Sequence, residues 1–204
     1  MTTDKSSIDD ITLIRAWPGN EGHMKVPTRI AYTIENKHLR NNVWGFEAGP
    51  KTISCSWTKL LLDISATDRT YDDPKLQHAM DVGMFHLPPN IEAQQVCRDF
   101  LKELHAFMTS QIVRRMTSDF LDSTPMDCWL TVPAVWSDSA QIATKRAAKA
   151  AGFGSRPQDT INVITEPEAA AIATLKRFQE PDGPNSIKVG YRLETCMTTA
   201  YDDF

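Results

Sequence analysis

Two carboxylates stand two residues apart in the stretch Ile161-Asn162-Val163-Ile164-Thr165-Glu166-Pro167-Glu168-Ala169-Ala170-Ala171-Ile172-Ala173. Their setting is what gives them chemical interest. The mostly β-branched run 161–164 predicts a short buried strand. Thr165 then offers a side-chain oxygen as helix N-cap, and Glu168, three residues on, closes a capping box. Pro167 falls in the first helical turn, where a missing N–H costs nothing. The alanine-rich run 168–175 lets this helix lie close against a sheet. Glu166 therefore sits at the carboxyl end of a strand and in the first turn of a helix, where open α/β sheets bind ligands. Acid–base work is one use for a carboxylate there, and charge balance at the helix dipole is the plainer one.

Other chemistries find less support. The five histidines form no H-E-x-x-H or similar cluster, so a zinc site is not expected. Cys55, Cys97, Cys128 and Cys196 contain no C-x-x-C pair and read as buried, reduced thiols of a cytosolic protein. The net charge of −4 supplies no basic field, which argues against nucleic acid or an anionic membrane as partner. No apolar run nears the roughly 20 residues of a membrane span. The polar, acidic residues 1–10 do not resemble a signal peptide. At 204 residues, one domain or two small lobes fit the length.

Several elements must position that carboxylate. Residues 11–17 read as a strand entering the turn Pro18-Gly19-Asn20, and 24–32 as a second extended segment, with Pro27 suggesting a sheet edge or strand end. A third short strand is expected over 43–47, making a small antiparallel region. A helix near Trp57 would carry Lys59 and Leu60 to Leu62. The segment 63–90, with Pro74, Pro88 and Pro89, reads mostly as loop, with a short helix near 75–80. Asn90 is then expected to cap the strongest helix, 91–116, roughly 38 Å long, with Val96, Phe100, Leu104, Phe107 or Met108, and Ile112 on one face. After a polar break at 119–127, the run 128–132 is a buried strand ending at Pro133. Asp138 would cap the next helix in a capping box with Gln141, burying Ala140, Ala143, Ala147 and Ala151 and exposing Lys145, Arg146 and Lys149. Gly152 stops it. Residues 128–178 thus read strand, helix, strand, helix, an α/β unit expected to contain parallel pairing.

Three pieces of this unit together resemble the heat-shock protein 70 family. They are Val132-Pro133-Ala134-Val135-Trp136-Ser137-Asp138-Ser139, the alanine-rich helix through Gly152-Phe153, and Thr165-Glu166-Pro167-Glu168-Ala169-Ala170-Ala171-Ile172-Ala173. More closely, they look like the family's divergent branch without the usual substrate-binding domain. Trp17-Pro18-Gly19, Val26-Pro27-Thr28-Arg29-Ile30-Ala31-Tyr32 and Trp57-Thr58-Lys59-Leu60-Leu61-Leu62-Asp63 fit that branch in the same order. The resemblance implies an actin-like (ribonuclease H-like) ATPase fold holding ATP and Mg2+ between two lobes. Carried over by position, Lys59 matches the lysine that orients the attacking water, and Glu166 the glutamate that contacts the magnesium hydration shell. Pro133 matches the proline that relays nucleotide state. Unfolded clients and co-chaperones are the partners the resemblance implies, in the cytoplasm or the nucleus.

Departures from the family shape the remaining expectations. The opening D-x-G-T/S loop has no counterpart in residues 1–10, and the later D-x-G-G-G-T loop has none in 191–204. Gln141 stands where the family often has an arginine coupled to the switch proline. The fold class expected is therefore α/β, a partial nucleotide-binding domain consisting of lobe I only. A disordered stretch 1–10, a β region with the long helix over 11–125, an α/β unit over 126–190 and a divergent tail 191–204 would make it up. Functionally the expectation is a truncated Hsp70-like ATPase domain unable to hydrolyse ATP alone. The alternative is a non-enzymatic interaction module that keeps lobe I packing. An unrelated small α/β enzyme using Glu166 as acid or base ranks last, for want of a partner base or phosphate loop.

Overall fold

The computed structural model describes residues 13–56, 62 and 86–178. The stretches 1–10 and 191–204, Lys59 with most of its expected helix, and the expected short helix at 75–80 lie outside the described residues. The chain divides into two compact units: a larger one, Ile14–Trp129 with Trp136–Asn162, and a smaller one, Met1–Leu13 with Leu130–Val135 and Val163–Phe204.

In the larger unit, β1 (Ala16–Trp17) and β2 (Asn20–Glu21) form an antiparallel hairpin across Pro18-Gly19. Gly19 takes φ +79°, which a two-residue turn of this hand demands. Next comes a three-stranded antiparallel sheet in which β3 (Arg29–Ala31) lies between β4 (Val43–Trp44) and β5 (Cys55–Ser56). Of the two roles expected for Pro27, it takes the strand end rather than the edge: β3 is the central strand, and the proline precedes it by two residues, where no ladder bond is lost. The expectation for the third strand is corrected: it does not reach residue 47. It ends at Trp44 and turns into a 3-10 helix, Gly45–Glu47, because Gly45 adopts φ +59°.

A Cβ built on Gly45 would lie 2.6 Å from Val26 Cγ2, so both conformation and space require glycine. Gly45→Ala is expected to lower stability by about 1–3 kcal/mol. Thermal unfolding with an unchanged midpoint would show that the turn does not depend on glycine.

Asn36, 2% exposed, stitches the loops around this sheet. Its Nδ2 donates to the carbonyls of Tyr32 (2.9 Å) and Ile53 (2.8 Å), and its Oδ1 accepts from Ile53 N–H at 2.8 Å. A buried amide so fully used costs little to bury and fixes the loop path.

The long helix α1 (Ala93–Arg115) is roughly 34 Å long. Its cap is not Asn90. That residue stands at φ +64°, a left-handed conformation asparagine tolerates, and the helix starts after Glu92 with no side-chain cap. The Pro88-Pro89 turn displaces the start, with Ile91 N–H donating to the Pro88 carbonyl at 3.2 Å. The predicted apolar face is present. Val96 and Phe100 join Ile30, Tyr32, Trp44 and Cys55 in the core, with Leu104, Phe107 and Trp17 packed around them. Trp44 meets Phe100 edge to face at 5.8 Å and Phe107 at 6.0 Å.

The polar break contains a short helix that its composition hides, α2 (Ser118–Ser123). Thr117 Oγ1 caps it by accepting from Phe120 N–H at 3.1 Å. Strand β6 (Asp127–Val132), helix α3 (Asp138–Ala150), strand β7 (Thr160–Thr165) and helix α4 (Glu166–Phe178) follow in the expected order. The cap of α3 is Ser137, one residue before the expected Asp138: its Oγ accepts from Ala140 N–H at 3.3 Å. Gln141 does not close a capping box but donates its amide to the Trp136 carbonyl at 3.3 Å. Ala140, Ala147 and Ala151 are buried as expected, while Ala143 is half-buried. Neither strand is wholly buried. Along β6 exposure alternates, with Trp129 61% exposed, and β7 is half-buried after Thr160.

Candidate functional site

The site is built from the ends of β6 and β7, and their pairing is set at the opposite ends. Asp159, whose side chain is 1% exposed, takes Arg156 Nε on one oxygen at 2.8 Å and Arg156 Nη2 on the other at 2.6 Å. The second oxygen also accepts from Met126 N–H at 2.9 Å. Arg156 donates further to the carbonyls of Thr124 (2.8 Å) and Leu121, which ties the end of α2 to the entry of β7. Arg156 above all holds the Asp159 carboxyl below the usual carboxylate range, with Met126 N–H adding to it against the cost of burial. The same pairing raises the Arg156 guanidinium.

This clamp fixes direction and register. Thr160 N–H donates to the Met126 carbonyl at 2.9 Å, and the Thr160 hydroxyl bonds the Asp127 carboxylate. The first residues of β6 and β7 therefore lie side by side, and two strands of one sheet that start together run parallel. Both strands are six residues long, and at the carboxyl edge β6 runs into Pro133 and β7 into Glu166. Two of the three residues singled out by sequence thus share one end of one sheet. Lys59 lies outside the described residues.

Within the smaller unit, the predicted capping box at the head of α4 is formed in both directions. Thr165 N–H and its hydroxyl donate to Glu168 Oε2 at 3.0 and 2.7 Å, and Glu168 N–H donates to Thr165 Oγ1 at 3.3 Å. The Thr165 hydroxyl first, and its N–H second, hold the Glu168 carboxyl below its ordinary value. Glu168 is thus committed to the helix start, and half-buried Glu166 is the strand-end carboxylate beside it.

Among the described residues, the other titratable groups with shifted proton affinity include two structural thiols. Burial pushes the Cys55 thiol up to about 12, with Glu35 adding to it, and also raises Cys128, so both stay protonated at neutral pH. Glu35 Oε1 meets His86 Nε2 at 2.6 Å. Sequence spacing does not reveal this pair, 51 residues apart. Arg156 and Asp159, an arginine and an aspartate at i and i+3 around Pro157, carry a local signal legible in the sequence. Among the described residues no group of three or more His, Cys, Asp or Glu forms a metal site, and no helix is long and apolar enough to cross a membrane.

A phosphate chain needs backbone N–H groups at a glycine turn leading into a helix. The described left-handed glycines stand elsewhere. Gly19 and Gly22 flank the β1–β2 hairpin, with Gly19 against Glu47, and Gly45 opens the 3-10 turn. Gly152 and Gly154 follow the carboxyl end of α3, where the helix dipole repels anions. None of the described left-handed glycines thus opens a helix beside Glu166.

A strand–helix–strand–helix order with a carboxylate where the second strand becomes a helix is compatible with an α/β fold. The Hsp70 protein family model matches residues 21–180, and the chain belongs to the Hsp70 family. With that membership come an actin-like ATPase fold and descent from ATP-binding chaperones.

Proposed function

We propose that these 204 residues are lobe I of an Hsp70-like nucleotide-binding domain, that they form one wall of an ATP site, and that alone they do not hydrolyse ATP. The place of Glu166 and Pro133, each directly following its strand at the carboxyl edge of the β6–β7 pair, is the observation that carries this reading. There Glu166 would hold a water of the magnesium shell, and Pro133 would sense it through the neighbouring strand end. Lys59 would orient the attacking water. Phosphoryl transfer relies on positioning and charge neutralisation, which one carboxylate and one lysine do not supply without a phosphate cradle. Nucleotide, clients and co-chaperones are the proposed partners, and the cytoplasm or nucleus the proposed location.

Calorimetric titration of the purified chain with Mg-ATP is expected to give no saturable heat at micromolar nucleotide. Tight, magnesium-dependent binding would overturn the proposal that the isolated chain is nucleotide-deficient. In that event Lys59→Ala should slow turnover far more than it weakens binding, and an equal loss of both would remove Lys59 from the catalytic role.

Exposed apolar side chains in the smaller unit favour a second reading, a non-enzymatic interaction module. Val135 is 78% exposed and Ile172 52%. If such contacts are the function, Ile172→Ser abolishes partner capture while Glu166→Gln leaves it intact.

A further inference from the structure

The helix pair α1 and α3 makes the most extensive contact between elements of the larger unit. Near the carboxyl end of α3 a half-buried histidine packs into this seam. His105, from the middle of α1, lies edge to face against Phe153, centroids 4.8 Å apart with an interplanar angle of 70°. Phe153 is 6% exposed. The chain turns here through Gly152 at φ +113°, and a Cβ at that position would lie 3.0 Å from His105 Nδ1 and 3.1 Å from Cε1. Close packing of ring and backbone thus requires glycine, and the imidazole acts as an apolar wedge.

A phenylalanine or leucine would fill the same space without a titratable nitrogen. We infer that His105 makes the α1–α3 seam proton-sensitive, closed around a neutral imidazole and loosened when the ring takes up a proton. Among the described residues, neither ring nitrogen makes a direct hydrogen bond that would steady an imidazolium. The surrounding charges do not compensate. Asp159, at the head of β7, favours the charged ring, but its carboxylate is occupied by Arg156 and Met126 N–H. On α1, Asp99 is bonded to Tyr32 and Arg98, and Lys102 is exposed. On α3, Lys145, Arg146 and Lys149 are exposed. Burial outweighs the Asp159 field and lowers the proton affinity of the ring.

The sign of the effect follows from linkage. A histidine whose folded value lies below its unfolded value, about 6.5, contributes full stability above that pH. The contribution falls as the pH drops from there toward the folded value.

The first test is an NMR titration of the His105 ring protons in the whole chain, expected to give a midpoint below 6.5. A midpoint at or above 6.5 overturns the inference, and this measurement needs no variant. The second compares thermal midpoints at pH 7.5 and 5.5 for the wild type and for His105→Phe. The wild type is expected to lose several degrees more than the variant on acidification. Equal losses overturn the inference, and if His105→Phe fails to fold, His105→Gln gives the same comparison. The inference does not depend on nucleotide binding and stands apart from the proposed function.

Discussion

Asp159→Ala is expected to destabilise the larger unit by about 2–4 kcal/mol, short of the full cost of breaking a wholly buried ion pair because the remaining Arg156 is partly exposed. The Asp159 side chain is 1% exposed and the Arg156 side chain 23%. Removing the carboxylate leaves Arg156 its two carbonyl acceptors but no counter-charge, and strips Met126 N–H of its acceptor. A loss of this size is a large part of the roughly 5–15 kcal/mol that holds a domain folded. Asp159→Asn should lose less, because an amide oxygen still serves Met126. Urea unfolding of the three proteins measures the ordering, and an alanine variant within about 1 kcal/mol of wild type would show that the clamp does not set the β6–β7 pairing.

The same group sets an acid limit. Arg156 holds the Asp159 carboxyl below its usual value. A depressed carboxylate contributes stability that is complete above the unfolded value, about 3.9, and is lost as the pH falls through the folded one. The clamp therefore holds at neutral pH, and its loss belongs below about pH 4. That window is well separated from the one governed by His105.

Phe100→Ala should rank beside it, at about 3–5 kcal/mol, for a different reason. Phe100 is 7% exposed and is the α1 side chain set edge to face on Trp44, the residue that ends β4. Truncation loses the transfer energy of the ring and leaves a hole lined by Trp44, Val96 and Ile30, which a sheet of strands two and three residues long cannot collapse to fill. Phe100→Leu, which keeps most of the volume, should recover much of the loss. Pairing each change with Trp44→Leu in a double-mutant cycle would give the coupling across the ring contact. Strict additivity would mean that the two aromatics do not act together.

How far these features can be read from residues alone depends on how local they are. The order strand, helix, strand, helix over the second half was legible because β-branched runs, caps and alanine faces act within a few residues of one another. The Thr165–Glu168 box, the Gly152 stop and the apolar face of α1 were legible for the same reason. Boundaries set by competition were not. Ser137 rather than Asp138 caps α3 because its hydroxyl reaches Ala140 N–H. Asn90 gives up the capping role because the diproline turn puts it in the left-handed region. The strand over 43–47 is cut short by Gly45, whose glycine requirement comes in part from Val26, 19 residues earlier.

Sequence by itself thus determined the family, the α/β order of the second half and the place of Glu166 at a strand-to-helix corner. Motif and capping chemistry are contiguous in the chain, so no tertiary information is needed to see them. Only the tertiary structure decided that β6 and β7 start together, that Pro133 and Glu166 therefore leave the same edge of the pair, and that His105 rather than an apolar residue packs at the α1–α3 seam. Those facts rest on contacts between residues 33 to 48 positions apart, whose energies exist only once the chain has closed the intervening loops.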